Sequence, residues 1–113
     1  MTTLYGIKNC DTCRKARKAL DSQSVAYRFH DLRQNGLDDA LLDHLLGQVP
    51  LASLINRQSQ TWRKLDDADK ARIDSEAKRV LAANPTLLKR PLLDTGNEIR
   101  VGYRDGDYAD LHA

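Results

Sequence analysis

With 113 residues, 41% of them hydrophobic and 30% charged, the chain is long enough for one domain with a modest core that needs neither a disulfide framework nor a metal to hold it. A net charge of +2 provides no bulk field for nucleic acid or an anionic membrane, and no run approaches the roughly 20 apolar residues of a membrane span. Polar and charged residues follow Met1–Tyr5 at once, unlike the apolar region of a signal peptide, so a cytoplasmic location is expected.

Thr2 to Tyr5 is β-prone and ends at Gly6, and a polar loop, Ile7 to Thr12, follows. Cys13 to Leu20 favours helix, with Ala16 and Leu20 on one face and Arg14, Lys15, Arg17 and Lys18 around it. Val25, Tyr27 and Phe29 then alternate with Ala26, Arg28 and His30, the period of a strand. A β-α-β unit of this length predicts parallel strands joined by a right-handed crossover, with Tyr5, Tyr27 and Phe29 in the core.

Asn35-Gly36 breaks the pattern. Asp38 or Asp39 can cap a helix on which Leu41, Leu42, Leu45, Leu46 and Val49 recur, and Pro50 ends it or opens a short one through Leu54. Asn56 to Leu65 reads as a polar loop or turn. Asp66 to Ala83 reads as a second long helix, stopped by Asn84-Pro85. Leu92-Leu93, the turn Thr95-Gly96-Asn97 and Glu98 to Tyr103 predict a hairpin, and Tyr108 to Ala113 a last helical turn. The order predicts a single α/β domain over 1–113, with a mixed sheet and a helical insertion over about 36–84.

The chain has two cysteines, Cys10 and Cys13, in one C-x-x-C. That spacing cannot staple distant segments, and in a reducing compartment it points to redox, catalytic or metal chemistry. A structural zinc site needs four ligands, and His30, His44 and His112 are not in paired ligand spacing, so no metal is expected. A thiol in the loop before a helix meets unpaired backbone N–H groups and the positive end of the helix dipole, with Lys8 and Arg14 nearby in sequence. Those effects favour the thiolate, the nucleophilic form. Cys13, one turn on, can resolve a mixed disulfide or simply pack against the helix.

Leu4-Tyr5-Gly6-Ile7-Lys8-Asn9-Cys10-Asp11-Thr12-Cys13-Arg14-Lys15-Ala16-Arg17 resembles the N-terminal motif of the arsenate reductase/Spx family, most closely its small YffB-type branch. Leu54-Ile55-Asn56-Arg57 with Thr61-Trp62-Arg63-Lys64-Leu65, and Asn84-Pro85 through Leu88-Lys89-Arg90-Pro91-Leu92, resemble its middle and third motifs, so the likeness covers nearly the whole chain. The resemblance implies a thioredoxin-like (glutaredoxin-like) fold, a redox-active Cys10, Arg57 and Arg90 reaching toward it, and a cis bond before Pro91. Arginine suits an oxyanion or carboxylate and depresses a neighbouring thiol pKa. A third family arginine matches Arg104, with Arg100 as the alternative, and Arg14 is a further binding candidate. Trp62 is expected to be a packing residue.

Arsenate reductases proper lack a second cysteine three residues on, so Asp11-Thr12-Cys13 argues against arsenate as the substrate. The resemblance to the YffB-type branch implies glutathione as co-substrate, or a glutaredoxin- or thioredoxin-type thiol. The expectation is a monomeric, thiol-dependent reductase without a bound cofactor. The alternatives are an arsenate reductase using the same cysteine and an Spx-type redox-sensing regulator that binds RNA polymerase. Spx-type regulators carry a longer C-terminal region, which makes that reading the weaker one.

Overall fold

The computed structural model describes residues 2–111. Within them the chain forms two packed units, one of residues 2–35 and 90–111 and the other of residues 36–89. The predicted helical turn at Tyr108 to Ala113 falls partly outside the described residues.

The first unit is built on a four-stranded mixed sheet in the order β2-β1-β3-β4. Strand β1 (Thr2–Gly6) runs parallel to β2 (Tyr27–Asp31), pairing Leu4 with Phe29 and Gly6 with Asp31. On its other side β1 pairs antiparallel with β3 (Leu92–Asp94), which pairs antiparallel with β4 (Ile99–Val101) across a turn where Gly96 sits at φ +92. Helix α1 (Asp11–Ser22) links the two parallel strands, and its Cys13, Ala16 and Leu20 are buried. Residues four apart share a helix face, so Ala16 and Leu20 meet Leu4 and Leu93 from the sheet in one cluster.

Tyr108 completes this cluster. It lies among turns at 105–110, closed by Ala109 N–H to Gly106 O and Leu111 N–H to Tyr108 O, where the sequence suggested helix. The segment is tied down at both ends. The amide of Gln23 donates to the carbonyls of Tyr108 and Leu111. The Arg100 guanidinium meets both carboxylate oxygens of Asp110, at 2.8 and 2.6 Å. The core aromatic of this unit is therefore Tyr108, whereas Tyr5, Tyr27 and Phe29 are half-buried.

The second unit is helical. Helix α2 (Asp39–Gln48) is capped by Asp38, whose carboxylate accepts from Leu41 N–H, and it buries Leu42 and Leu45. Pro50 caps the single turn α3 (Leu51–Leu54). The presumed loop after it contains α4 (Gln60–Lys64), capped by Ser59. The long helix expected over Asp66 to Ala83 is two pieces, α5 (Asp67–Ala71) and α6 (Ala77–Ala83). Asp74 and Ser75, weak helix formers whose side chains compete for backbone groups, lie in the break, while Ile73 still turns inward. A short 3₁₀ turn (Pro85–Leu87) and an Ile55–Leu88 bridge close the unit.

Candidate active site

Cys10 is the N-cap of α1, with extended backbone angles (φ −139, ψ 120), and its carbonyl accepts the first helical bond from Arg14 N–H. The side chain is half-buried. Burial of the sulfur opposes ionisation. It is outweighed by the Cys13 backbone N–H, the Cys13 thiol and the Arg90 guanidinium, which together hold the Cys10 thiol below its usual range. Cys10 is thus the thiol that ionises first.

Cys13 has the opposite setting. It is 1% exposed, and burial pushes its thiol up to about 12. Its sulfur occupies the space that a side chain on Gly6 would need: a Cβ built there would come within 2.7 Å of Cys13 Sγ. Gly6, at the end of β1, lets the helix approach the strand closely enough to bury this thiol beside Cys10.

Arg90 enters from the other end of the chain, immediately before β3, and the Arg90–Pro91 bond is cis. Of the cations considered in the sequence, Arg90 is the one that acts on the Cys10 thiol. Arg14 is exposed and ion-paired with Asp11 within the first turn of α1. Lys8 has an exposed side chain and engages the fold through its backbone N–H. The expectation that Lys8 and Arg14 would add charge at the thiol is replaced by Arg90, because both side chains point to the surface. Arg100 is committed to Asp110, Glu98 and the Asp107 carbonyl. Arg104 is exposed in the turn after β4, its backbone N–H donating to Asp107, and it remains the candidate for the third arginine.

Arg57 belongs to the helical unit, exposed in the turn after Ile55, with its guanidinium 5.3 Å from the centre of the Trp62 ring. Lys70 lies 5.9 Å from the same ring. Trp62 is half-buried and packs in the helical unit.

Sequence reasoning passed over Asp31. It ends β2 and is 4% exposed. Its carboxylate accepts from the backbone N–H groups of Arg33 (2.8 Å), Gln34 (3.0 Å) and Lys8 (3.2 Å). Burial alone would raise its pKa, but these N–H groups hold it below the usual carboxylate range. The signal was an acid at the end of an alternating run, four residues before an asparagine that bonds back to it. Among the described residues there is no cluster of His, Cys, Asp or Glu that could hold a metal. No helix among them is long and apolar enough to cross a membrane.

A half-exposed, acidified thiol at a helix N-cap, a buried second thiol behind it, and an arginine before a cis proline on the next strand form one constellation. The ArsC family model matches residues 5–111. The chain belongs to the ArsC family. It is 41% identical over 109 residues to an uncharacterized protein of Haemophilus influenzae, with 96% of each chain aligned. It is 28% identical to the global transcriptional regulator Spx of Streptococcus mutans, covering 95% of this chain and 80% of that one. The solved structure of a protein named YffB superposes with a TM-score of 0.90 at 39% identity, covering all of both chains. An arsenate reductase-related protein of Brucella melitensis gives 0.77, also at 39% identity, over 96% of this chain and 92% of that one. The fold is accordingly α/β and thioredoxin-like, as expected from the motifs.

Proposed function

We propose that this protein is a glutathione-dependent thiol reductase working through the Cys10 thiolate. The observation that carries the proposal is the contrast between the two thiols: Cys10 is accessible and acidified, Cys13 is buried and pushed up to about 12. The Cys10 thiolate attacks a sulfur of a disulfide substrate; that S–S bond breaks, and the leaving thiolate takes a proton from solvent. The resulting mixed disulfide is released when a second thiolate, from glutathione or a glutaredoxin- or thioredoxin-type thiol, attacks it and returns Cys10 as thiolate. That attack leaves the substrate sulfur joined to the attacking thiol. When the thiol is glutathione, a second glutathione thiolate attacks this bond, releases the substrate as its thiolate and leaves oxidised glutathione, so the two electrons gained by the substrate come from two glutathione thiols.

Arg90 serves twice in this proposal. Its charge favours the thiolate before attack, and its fork suits a carboxylate of the tripeptide. The family resemblance implies that the cis bond before Pro91 holds the Arg90 backbone for a bound thiol peptide to pair with, and Arg14, Arg57 and Arg104 are assigned to binding through the same resemblance.

The test is alkylation of the protein by iodoacetamide as a function of pH, followed by mass spectrometry after incubation with oxidised glutathione. Cys10 should alkylate well below pH 8.5, the ordinary thiol range, and gain one glutathione or close onto Cys13. Arg90→Ala should move the alkylation midpoint upward. An ordinary midpoint with no glutathione uptake would overturn the proposal. The Spx relatives favour a second reading, a redox-sensing regulator that binds RNA polymerase. Retention of the protein on RNA polymerase in a pull-down supports it, and absence of retention removes it.

A further inference from the structure

Cys10 owes its place to a loop of only three residues, Ile7, Lys8 and Asn9, between the end of β1 and the cap of α1. Two features fix the start of that loop against β2. Leu32 N–H donates to Gly6 O at 2.8 Å, and Lys8 N–H donates to Asp31 Oδ2 at 3.2 Å. The other oxygen of the same carboxylate, Oδ1, is occupied differently. It accepts from Arg33 and Gln34 N–H, closing the turn that follows β2. The backbone of Asp31 is held in turn by Asn35, whose side-chain oxygen accepts from Asp31 N–H at 2.9 Å and whose N–H donates to Asp31 O at 2.7 Å. One buried carboxylate therefore joins two loops, with one oxygen for each.

We propose that Asp31 is the positioning residue of the thiol site: its carboxylate fastens the Ile7–Asn9 loop and so sets the Cys10 sulfur toward Cys13 and Arg90. The proposal rests on the reading of Cys10 as the reactive thiol. Asp31 does not act through its charge. The groups that govern the Cys10 thiol, apart from its burial, are Cys13 and Arg90, and a carboxylate near a thiol would hinder ionisation rather than help it. Its effect is mechanical. A cap residue that drifts loses the N–H and guanidinium contacts that favour the thiolate, because such contacts weaken steeply with distance and angle.

The two oxygens suggest a selective variant. An amide has one accepting oxygen and one donating nitrogen. Asp31→Asn can keep the bonds to Arg33 and Gln34, but it then presents an NH₂ group to Lys8 N–H, donor against donor. The turn after β2 survives and the tether to the Cys10 loop is cut. Val80→Ala is the control: Val80 is 1% exposed in α6, so the substitution lowers stability without touching the loop.

The experiment measures the iodoacetamide alkylation rate of Cys10 against pH for wild type, Asp31→Asn and Val80→Ala, with melting temperatures alongside. Asp31→Asn should shift the midpoint upward, slowing alkylation at pH 6 about threefold or more, the effect of half a unit in thiol pKa. Val80→Ala should melt lower and keep the wild-type profile. A downward shift in Asp31→Asn would mean that the carboxylate acts by charge, and an unchanged profile would mean that it serves the fold alone; either overturns the proposal. Should Asp31→Asn not fold, hydrogen exchange of the wild-type protein decides. The Lys8 amide should be protected as well as those of β1, and exchange at the rate of an open loop would overturn the tether. The readout needs no glutathione, so failure of glutathione uptake would remove the proposed function while leaving the link between Asp31 and Cys10 standing or falling separately.

Discussion

At the scale of single residues, the two cysteines of one motif are made chemically unlike by their neighbours. Cys10 faces N–H, S–H and guanidinium donors, and Cys13 faces the backbone of β1 across a glycine. The glycine is decisive because its missing side chain is the space Cys13 occupies. Gly6→Ala would place a methyl 2.7 Å from a sulfur that is itself enclosed. Overpacking of this kind costs about 1–3 kcal/mol. The relief open to the molecule is outward displacement of Cys13 or separation of α1 from β1. We expect Gly6→Ala to lower stability by that amount in urea denaturation and to make Cys13 accessible to alkylation under native conditions. A Cys13 that stays unreactive in a variant as stable as wild type would show that the niche has slack. The C-x-x-C and the acidified Cys10 beside Arg90 were legible in sequence and resemblance, but the enclosure of Cys13 was not, because it depends on Gly6 on β1 leaving room for its sulfur.

At the scale of elements, the strand-helix-strand unit and the hairpin were legible because their apolar periods are clear and their ends carry breakers. Strand β2 begins at Tyr27 rather than Val25, and α1 begins at Asp11 rather than Cys13, shifts of two residues that leave every face unchanged. The helical unit was less legible. Helix α4 buries no residue, so no apolar period announces it, and its only strong signal is Ser59 three residues before Trp62. Ser59 Oγ accepts from Trp62 N–H at 3.1 Å and donates to Asn56 O at 2.7 Å. A helix of five residues cannot sustain itself, since nucleation costs more than one turn returns. Its cap should therefore matter more locally than the Asp38 cap of α2, which buries Leu42 and Leu45. Ser59→Ala should cost about 1 kcal/mol. We expect faster amide exchange confined to residues 60–64 and a red shift in the emission of Trp62, the single tryptophan of the chain. Unchanged exchange there would place the stability of α4 in its contacts rather than its cap.

At the scale of the whole molecule, the buried acids set how stability depends on pH. Burial raises the Cys13 thiol from 9.0 to about 12, and burial raises the Tyr108 hydroxyl above its usual 10.0. A raised acid keeps its proton longer in the folded chain than in the unfolded one. Between its unfolded and folded pKa values the native state binds more protons, so stability falls as pH rises. For Cys13 this window opens near pH 9 and closes near 12; for Tyr108 it opens near pH 10. Each group adds a slope of about 1.4 kcal/mol per pH unit while its window is open. Cys10 and Asp31 are lowered and have the opposite sign: their stabilisation is present above their unfolded pKa values and is lost as pH falls through the folded ones. The molecule should therefore lose stability steeply on the alkaline side, led by Cys13. Tyr108→Phe with Cys13→Ala removes these two groups and leaves the half-buried Tyr5, whose hydroxyl burial also raises. Because Tyr108 Oη is buried without a hydrogen-bond partner, its removal leaves no new unpaired group; the cavity at Cys13 lowers stability at every pH, and the lost Cys13 S–H donor weakens the Cys10 contribution on the side of the lower pH values. Urea midpoints from pH 8 to 11.5 should fall for wild type and stay much flatter for the double variant. Parallel falls would assign the alkaline loss to surface lysine ion pairs such as that of Lys78 with Asp43 instead.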